Sequence, residues 1–262
     1  MKIYELIKDL ETLAPPALAL PWDNPGLLVG DGSREVTKVF LALDAGSGAI
    51  EKAAENGCDM IITQHPMIFS AIKDVRADDP LGKRIIRLIR SDMACYAMHT
   101  NYDAAVMADI VAGRMGLKVV CPLETEAEHE GTGLGIGFIA DPAPGEEMTL
   151  RGLAASVKER FALPEVRFYG EGDRPVSRIA CCPGSGKGMD GCALAGGADV
   201  LVTGDVDHHY ALDCLEEGLA VIDAGHHGLE HIFTQHMSGW FAEKHPEITV
   251  FTSEEKSPFS VV

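Results

Sequence analysis

The sequence predicts an α/β protein of two lobes, each a sheet layered with helices, and three observations carry that reading. Short apolar runs alternate with segments of helical spacing along nearly the whole chain, the pattern of strands joined by helices. Glycine or proline stands at many of the junctions, where chains turn or helices end. The 262 residues suffice for two modest domains, and 46% hydrophobic with 24% charged residues is ordinary for a globular chain.

Ile3, Leu6, Ile7, Leu10 and Leu13 recur at helical spacing, and Pro15-Pro16 ends that helix. Pro21-Trp-Asp-Asn-Pro-Gly-Leu-Leu-Val-Gly30 is a loop entering a short strand, with Trp22 expected as a core anchor and Asp23 or Asn24 as a turn closer. Strands follow at Val36–Leu43, Asp59–Thr63 and Met93–Met98, with helices at Ala49–Asn56, Leu81–Arg90 and Ala105–Met115. Val119 and Val120 belong to a further strand, and the acidic, unpatterned stretch 121–132 reads as the connection between lobes. The expected lobes are therefore 1–124 and 125–262. In the second, strands are expected at Leu134–Ala140, Val166–Tyr169, Val176–Cys182, Val200–Val202, Leu219–Ile222 and Ile248–Phe251. Helices are expected from a Thr149 cap to Phe161, at Met189–Ala195, at Asp207–Glu217 and from His226 to about Lys244. No short-period repeat is visible, and the lobes are candidates for distant duplicates.

With 22 Lys+Arg against 40 Asp+Glu the net charge is −18, which argues against a generic binder of nucleic acid or anionic membranes. The N-terminal helix is too charged for a signal peptide, and no apolar stretch reaches the ~20 residues that span a bilayer. Seven cysteines without a C-x-x-C pair read as thiols of a reducing compartment, so a cytoplasmic location is expected.

Candidate chemistry collects where the expected strands end, as sites do in open α/β sheets. Those ends carry Gln64-His65, then His99-Thr-Asn101-Tyr-Asp103, then Thr203-Gly-Asp205-Val-Asp207-His208-His209, then Asp223-Ala-Gly-His226-His227 with Glu230 one helical turn beyond His226. Imidazoles with carboxylates suit zinc, iron or manganese. His65, Asp103, His226 and Glu230 are the candidate ligands, with Glu230 able to bridge two ions. His99, His209 and Asp205 are candidates for orienting ligands or moving protons, while His129, His231, His236 and His245 read as surface or packing residues. A competing motif, Gly186-x-Gly188-x-x-Gly191, has the form of a dinucleotide fingerprint, but a tight turn needing close backbone approach explains it more simply.

With these residues in place the chain resembles the NIF-three-like family, the dinuclear-metal-centre hexameric proteins also described as GTP cyclohydrolase 1 type 2 homologues. The resemblance rests on Trp22-Asp-Asn-Pro-Gly-Leu-Leu-Val-Gly, Thr63-Gln-His-Pro-Met-Ile-Phe, His99-Thr-Asn-Tyr-Asp, Pro183-Gly-Ser-Gly, Ala198-Asp-Val-Leu-Val-Thr-Gly-Asp-Val-Asp-His-His and Asp223-Ala-Gly-His-His-Gly-Leu-Glu. It implies a two-metal site between two α/β lobes, no inserted third domain, and a homohexamer built as a trimer of dimers. His65 and Asp103 would then serve one ion, His226 the other, and Glu230 would bridge. Where the family has two consecutive histidines this chain has Gln64-His65, and a neutral amide is a weaker ligand. The second ion is accordingly expected to be loosely held, replaced by a harder metal, or absent. The activity implied is that of a metal-dependent hydrolase opening the ring of GTP or a related nucleotide, with His99 or His209 moving protons. The alternative is an oligomeric metal-binding scaffold or metal-handling protein without turnover.

Overall fold

Residues 1–129, 132–143, 145, 147–254, 256–257 and 259–260 are described by the computed structural model. The apolar spacing at the start of the chain forms α1 (Ile3–Leu13), which buries Ile3, Leu6, Ile7 and Leu10 and stops before Pro15. Next come β1 (Gly26–Val29), β2 (Lys38–Ala42), α2 (Ser47–Glu55), β3 (Met60–Thr63), α3 (Pro80–Arg90) and β4 (Ala94–Ala97). Pro80 opens α3, and the Asp79 carboxylate caps it by accepting from the Gly82 amide. A helical stretch follows without a break in the chain path: α4 (Thr100–Tyr102), a π turn (Asp103–Met107) and α5 (Ala108–Met115), ended by Gly116 at φ +73°. Beyond it are β5 (Lys118–His129), β6 (Thr132–Asp141), α6 (Leu150–Arg160), β7 (Arg167–Tyr169), β8 (Ile179–Ser185) and α7 (Asp190–Ala195). The chain continues through β9 (Val200–Gly204), α8 (His208–Glu216), β10 (Ala220–Asp223), α9 (His226–Glu230), α10 (Ile232–Lys244) and β11 (Thr249–Thr252). Among the described residues no helix is long and apolar enough to cross a membrane.

The strands make two sheets, ordered β1-β4-β3-β2-β11 and β5-β6-β8-β9-β10-β7. In the first, β4, β3, β2 and β11 are parallel neighbours and β1 lies antiparallel on β4. In the second, β8, β9 and β10 are parallel, while β7, β6 and β5 add antiparallel strands outside them. Buried parallel strands read as continuous apolar runs, which is why Met60–Thr63 and Val200–Gly204 are buried at every position.

The chain divides into two compact units, Met1–Ala105 with Phe233–Glu255 and Val106–Ile232 with Lys256–Val262. These bounds are not the linear 1–124 and 125–262, because hydrogen-bond ladders rather than chain order decide membership: β5 pairs with β6, and β11 returns to β2. Residues 121–132, expected as an unpatterned connection, are strand wherever they are described; 130 and 131 lie outside the described residues. β5 is an edge strand, where proline and charges are tolerated and discourage pairing with other chains. Pro122 and Glu124 stand opposite Phe138 and Ile136, and register shifts at 119/121 and 125/127 break the two-residue alternation that would have betrayed the strand.

The duplicate reading is supported by topology. The order β1-β4-β3-β2 of the first sheet recurs as β7-β10-β9-β8 in the second, with the same antiparallel outer strand. Small contacts recur too. Ile3 and Tyr4 donate their amides to Arg34 and Gly32 carbonyls, as Leu150 and Arg151 do to Arg174 and Gly172. Asp59 Oδ2 accepts from the Thr37 amide, the Thr37 hydroxyl and the Lys38 amide, and Asp199 Oδ2 accepts the same three bonds from Ser177 and Arg178. Each aspartate thus pins the start of a parallel strand to its neighbour. Replacing either, as Asp59→Ala or Asp199→Ala, leaves two backbone donors to water and should cost about 1–2 kcal/mol in urea unfolding, with similar size in both repeats.

Candidate functional site

In the second unit the site residues stand beyond β9 and β10. Gly225 takes φ +77°, turning the chain sharply so that α9 begins at His226. His226 Nδ1 lies 2.8 Å from Asp205 Oδ2, and its Nε2 lies 3.0 Å from Glu230 Oε2 one turn along the helix. The Glu230 side chain is only 4% exposed. Asp205 holds φ +57°, a left-handed backbone uncommon for a non-glycine residue and of the kind that collects at functional sites. With Nδ1–H donated to Asp205, Nε2 of the imidazole faces the buried carboxylate. Two electron-rich groups at that distance need a proton or a cation at their edge.

The backbone makes room for such an occupant. A Cβ at Gly184, which has φ +73°, would fall 2.3 Å from Glu230 Oε1 and 3.5 Å from His226 Nε2. A Cβ at Gly204 would fall 2.2 Å from the His226 amide nitrogen. Gly186 donates its amide to the Thr203 hydroxyl at 2.8 Å, and the Tyr210 hydroxyl donates to the Gly186 carbonyl at 3.1 Å. The glycines at 184 and 186 therefore serve close approach to Glu230 and Thr203, and the turn reading accounts for them without a dinucleotide.

In the first unit the corresponding strand ends carry a similar pattern. His65 follows β3, its amide donating to the Leu43 carbonyl, and its Nδ1 lies 2.9 Å from Asp44 Oδ1. Both candidate histidine ligands thus have Nδ1 held by an aspartate, the carboxylate–imidazole support that metal-ligating histidines commonly have. Gln64 is fully buried; its Nε2 donates to Asp103 Oδ1 at 3.0 Å, and its Oε1 accepts no hydrogen bond among the described residues. A buried amide oxygen without a donor is costly unless a ligand meets it. Asp103 opens the π turn, a helical irregularity common at functional sites.

His99 Nδ1 lies 2.7 Å from Asp23 Oδ1, while the amide and hydroxyl of Thr100 both donate to Asp23 Oδ2. Burial alone raises the Asp23 pKa, but hydrogen bonds from His99 and Thr100, with the His99 charge, outweigh it and bring the carboxyl to about 2. Asp23 also closes a turn, its amide donating to the Leu20 carbonyl at 2.9 Å, but Trp22 is not a core anchor: its residue is 57% exposed. His209 is exposed in the first turn of α8, with its ring against His208. His231 stacks on His227, while His236 Nδ1 meets the Tyr102 hydroxyl at 2.7 Å and His245 is buried, all in packing roles. Burial pushes Cys58 up to about 11 and Cys95 up to about 12, which removes both as thiolate nucleophiles.

Asp44 and Gly184 join the site without having stood among the candidate residues. Asp44 follows β2, and extending the strand-end rule to that strand would have found it.

Within the second unit, a buried carboxylate, an aspartate-held imidazole and a glycine cradle suit a divalent cation. Gly184→Ala should leave the far-ultraviolet dichroism unchanged and abolish tight retention of zinc or manganese on dialysis, read by elemental analysis. The depressed Asp23 carboxyl contributes stability that is complete above about pH 4 and is lost as pH falls toward 2. Asp23→Asn should flatten that acid limb by on the order of 2 kcal/mol, measured by urea unfolding at a series of pH values.

Three comparisons bear on this geometry. The profile of the Duf34/NIF3 (NGG1p interacting factor 3) family matches residues 1–258. A Clostridium perfringens protein named GTP cyclohydrolase 1 type 2 homolog is 31% identical over 271 aligned positions, covering 100% of both chains. A Streptococcus pneumoniae protein of the same name is 35% identical over 270 positions, covering 99% of each. Among solved structures, the Staphylococcus aureus protein SA1388 superposes with a TM-score of 0.89 at 32% identity, over 100% of this chain and 99% of that one. Reduced HcgD from Methanocaldococcus jannaschii gives 0.82 at 26% identity, over 97% and 98%. The chain belongs to the Duf34/NIF3 family.

Proposed function

We propose that His65, Asp103, His226 and Glu230 are the ligands of a divalent metal centre, and that the protein is a metal-dependent hydrolase acting on a nucleotide such as GTP. The observation that carries the reading is the opposition of His226 Nε2 to the buried Glu230 carboxylate, with Nδ1 committed to Asp205. His65, His226 and Glu230 are also a donor group that could hold a metal ion. Two imidazoles and carboxylates favour zinc, iron or manganese, at one or two ions per chain. The relatives' name, GTP cyclohydrolase 1 type 2 homolog, supports the reaction class.

A bound ion supplies Lewis-acid polarisation and eases ionisation of water at neutral pH. The chain's own residues do the rest. Asp44 and Asp205 hold the two imidazoles in the tautomer that presents Nε2. Glu230 offers two oxygens and so can bridge, and Gln64 Oε1 adds a neutral oxygen in the place of an imidazole. His99, backed by Asp23, takes up and returns a proton at Nε2, and His209 is the second carrier we assign. We further propose a homohexamer, a trimer of dimers, in the cytoplasm, a reducing compartment that suits seven cysteines with no C-x-x-C pair.

Gln64 favours one second reading, a scaffold or metal-handling protein, since its Nε2 is engaged by Asp103 and its oxygen is a weak donor. Elemental analysis of protein purified without chelator, paired with GTP turnover across a metal panel, separates the two. The hydrolase reading expects bound metal and metal-dependent turnover that Glu230→Ala lowers at least a hundredfold while light scattering still reports the hexamer. Bound metal without turnover would establish the scaffold, and metal-free protein would refute both.

A further inference from the structure

Trp22 and Phe69 stand outside the ligand set and outside the core. Trp22 is 57% exposed and Phe69 52%, yet their rings meet, with centroids 5.7 Å apart at an angle of 52°. His99 touches both edge-on, at 6.0 Å from Trp22 and 6.4 Å from Phe69, and lies 5.7 Å from the His65 ring. The arrangement is fastened from beneath. Asn24 Nδ2 donates to the Ile68 carbonyl at 2.6 Å, tying the Trp22 loop to the Phe69 loop. The Asp23 side chain, fully enclosed, accepts from His99 Nδ1. In the tautomer that donates Nδ1–H to Asp23, His99 presents Nε2 as a hydrogen-bond acceptor at the base of two exposed aromatic faces.

Isolated exposed aromatics need no explanation, but two in contact, with a polar group fixed between them, make a directional site. Tilted rings leave faces uncovered, and a flat ring stacks on such faces whatever its substituents. The enclosed aspartate adds what a merely apolar patch lacks, an acceptor of set direction. We propose that Trp22, Phe69 and His99 form a binding site for a flat nitrogen heterocycle bearing an N–H or amino group, of the purine or pteridine class, stacked on the aromatic pair and donating to His99 Nε2. All of these residues belong to the first unit, so the site is complete within it. It rests on the proposed hydrolase reading only for the use made of the ring: His65 is a proposed ligand, so a ring held beside His99 would be the part of the substrate that the reaction addresses.

The test uses the metal-free 262-residue chain carrying Trp240→Phe, so that Trp22 is the remaining tryptophan and is excited selectively over the tyrosines. Titration with guanosine should quench its emission saturably below about 1 mM. Phe69→Ala and His99→Ala should each weaken binding about tenfold or more. A fully N-methylated xanthine, which stacks but has no N–H to donate, should bind without any dependence on His99. Absence of saturable quenching, or equal affinity in Phe69→Ala, overturns the proposal. So does dissociation of the assembly in Trp22→Ala on size exclusion, which would make the patch a subunit contact. Failure of the metal centre leaves these readouts standing, and failure of ring binding leaves the metal analysis standing.

Discussion

Imidazole orientation is the constraint on which the candidate site depends. A histidine ligates through one nitrogen, and the other must be occupied for the ring to hold its direction. Here Asp44, Asp205 and Asp23 each occupy Nδ1, of His65, His226 and His99 respectively, at 2.9, 2.8 and 2.7 Å. Holding those partners imposes demands on the backbone around them. Asp205 accepts a left-handed conformation, Gly225 makes the turn into α9, and Gly184 and Gly204 leave out side chains that would collide with Glu230 and His226. The concentration of irregular backbone around one histidine is the mark of local geometry subordinated to chemistry.

The recurring topology explains why the residues gather where they do. Parallel strands deliver their carboxyl ends to one rim of a sheet, so any residue placed just after such a strand arrives near its counterparts. Two copies of the same strand order provide two such rims. The copies keep the strand-pinning aspartates, Asp59 and Asp199, but have diverged at the rims: His65 stands where the second repeat has Asp205, each two residues past Thr63 or Thr203. The framework is common to both repeats, while each rim carries different donors.

Most of the fold was legible in the sequence because buried parallel strands are short, continuous apolar runs and because proline and glycine mark the helix ends. Gly57, Gly116 and the Thr149 cap all fall where expected, and Thr149 Oγ1 accepts from the Gly152 amide. β5 was illegible because an edge strand tolerates Pro122 and its acidic neighbours, and because two register shifts scramble its alternation. The one long helix expected from His226 is interrupted at His231, between α9 and α10. Among the site residues, histidines and carboxylates at strand ends could be named from spacing alone. Their aspartate partners could not all be, since Asp23 and His99 meet across 76 positions of chain and spacing carries no information about such a contact. Nor does composition distinguish an exposed Trp22 from a buried one; only the fold does.

The return of β11 to the first sheet has a consequence for how the chain comes to be folded. Its Thr249 pairs with Lys38, so β2 lacks one neighbour until the far end of the chain has been synthesised. Through that interval β2 exposes a row of unpaired amides and carbonyls beside the apolar run Val39-Phe-Leu-Ala42, a template for pairing with the same strand of another nascent chain. The second sheet draws all its strands from residues 118–223 and faces no comparable wait. Long-range parallel pairing is slow to form, and this pairing joins Lys38 to Thr249. Of the strand pairs among the described residues, β2 with β11 spans the longest stretch of chain, so β2 is the strand that waits longest for its second neighbour.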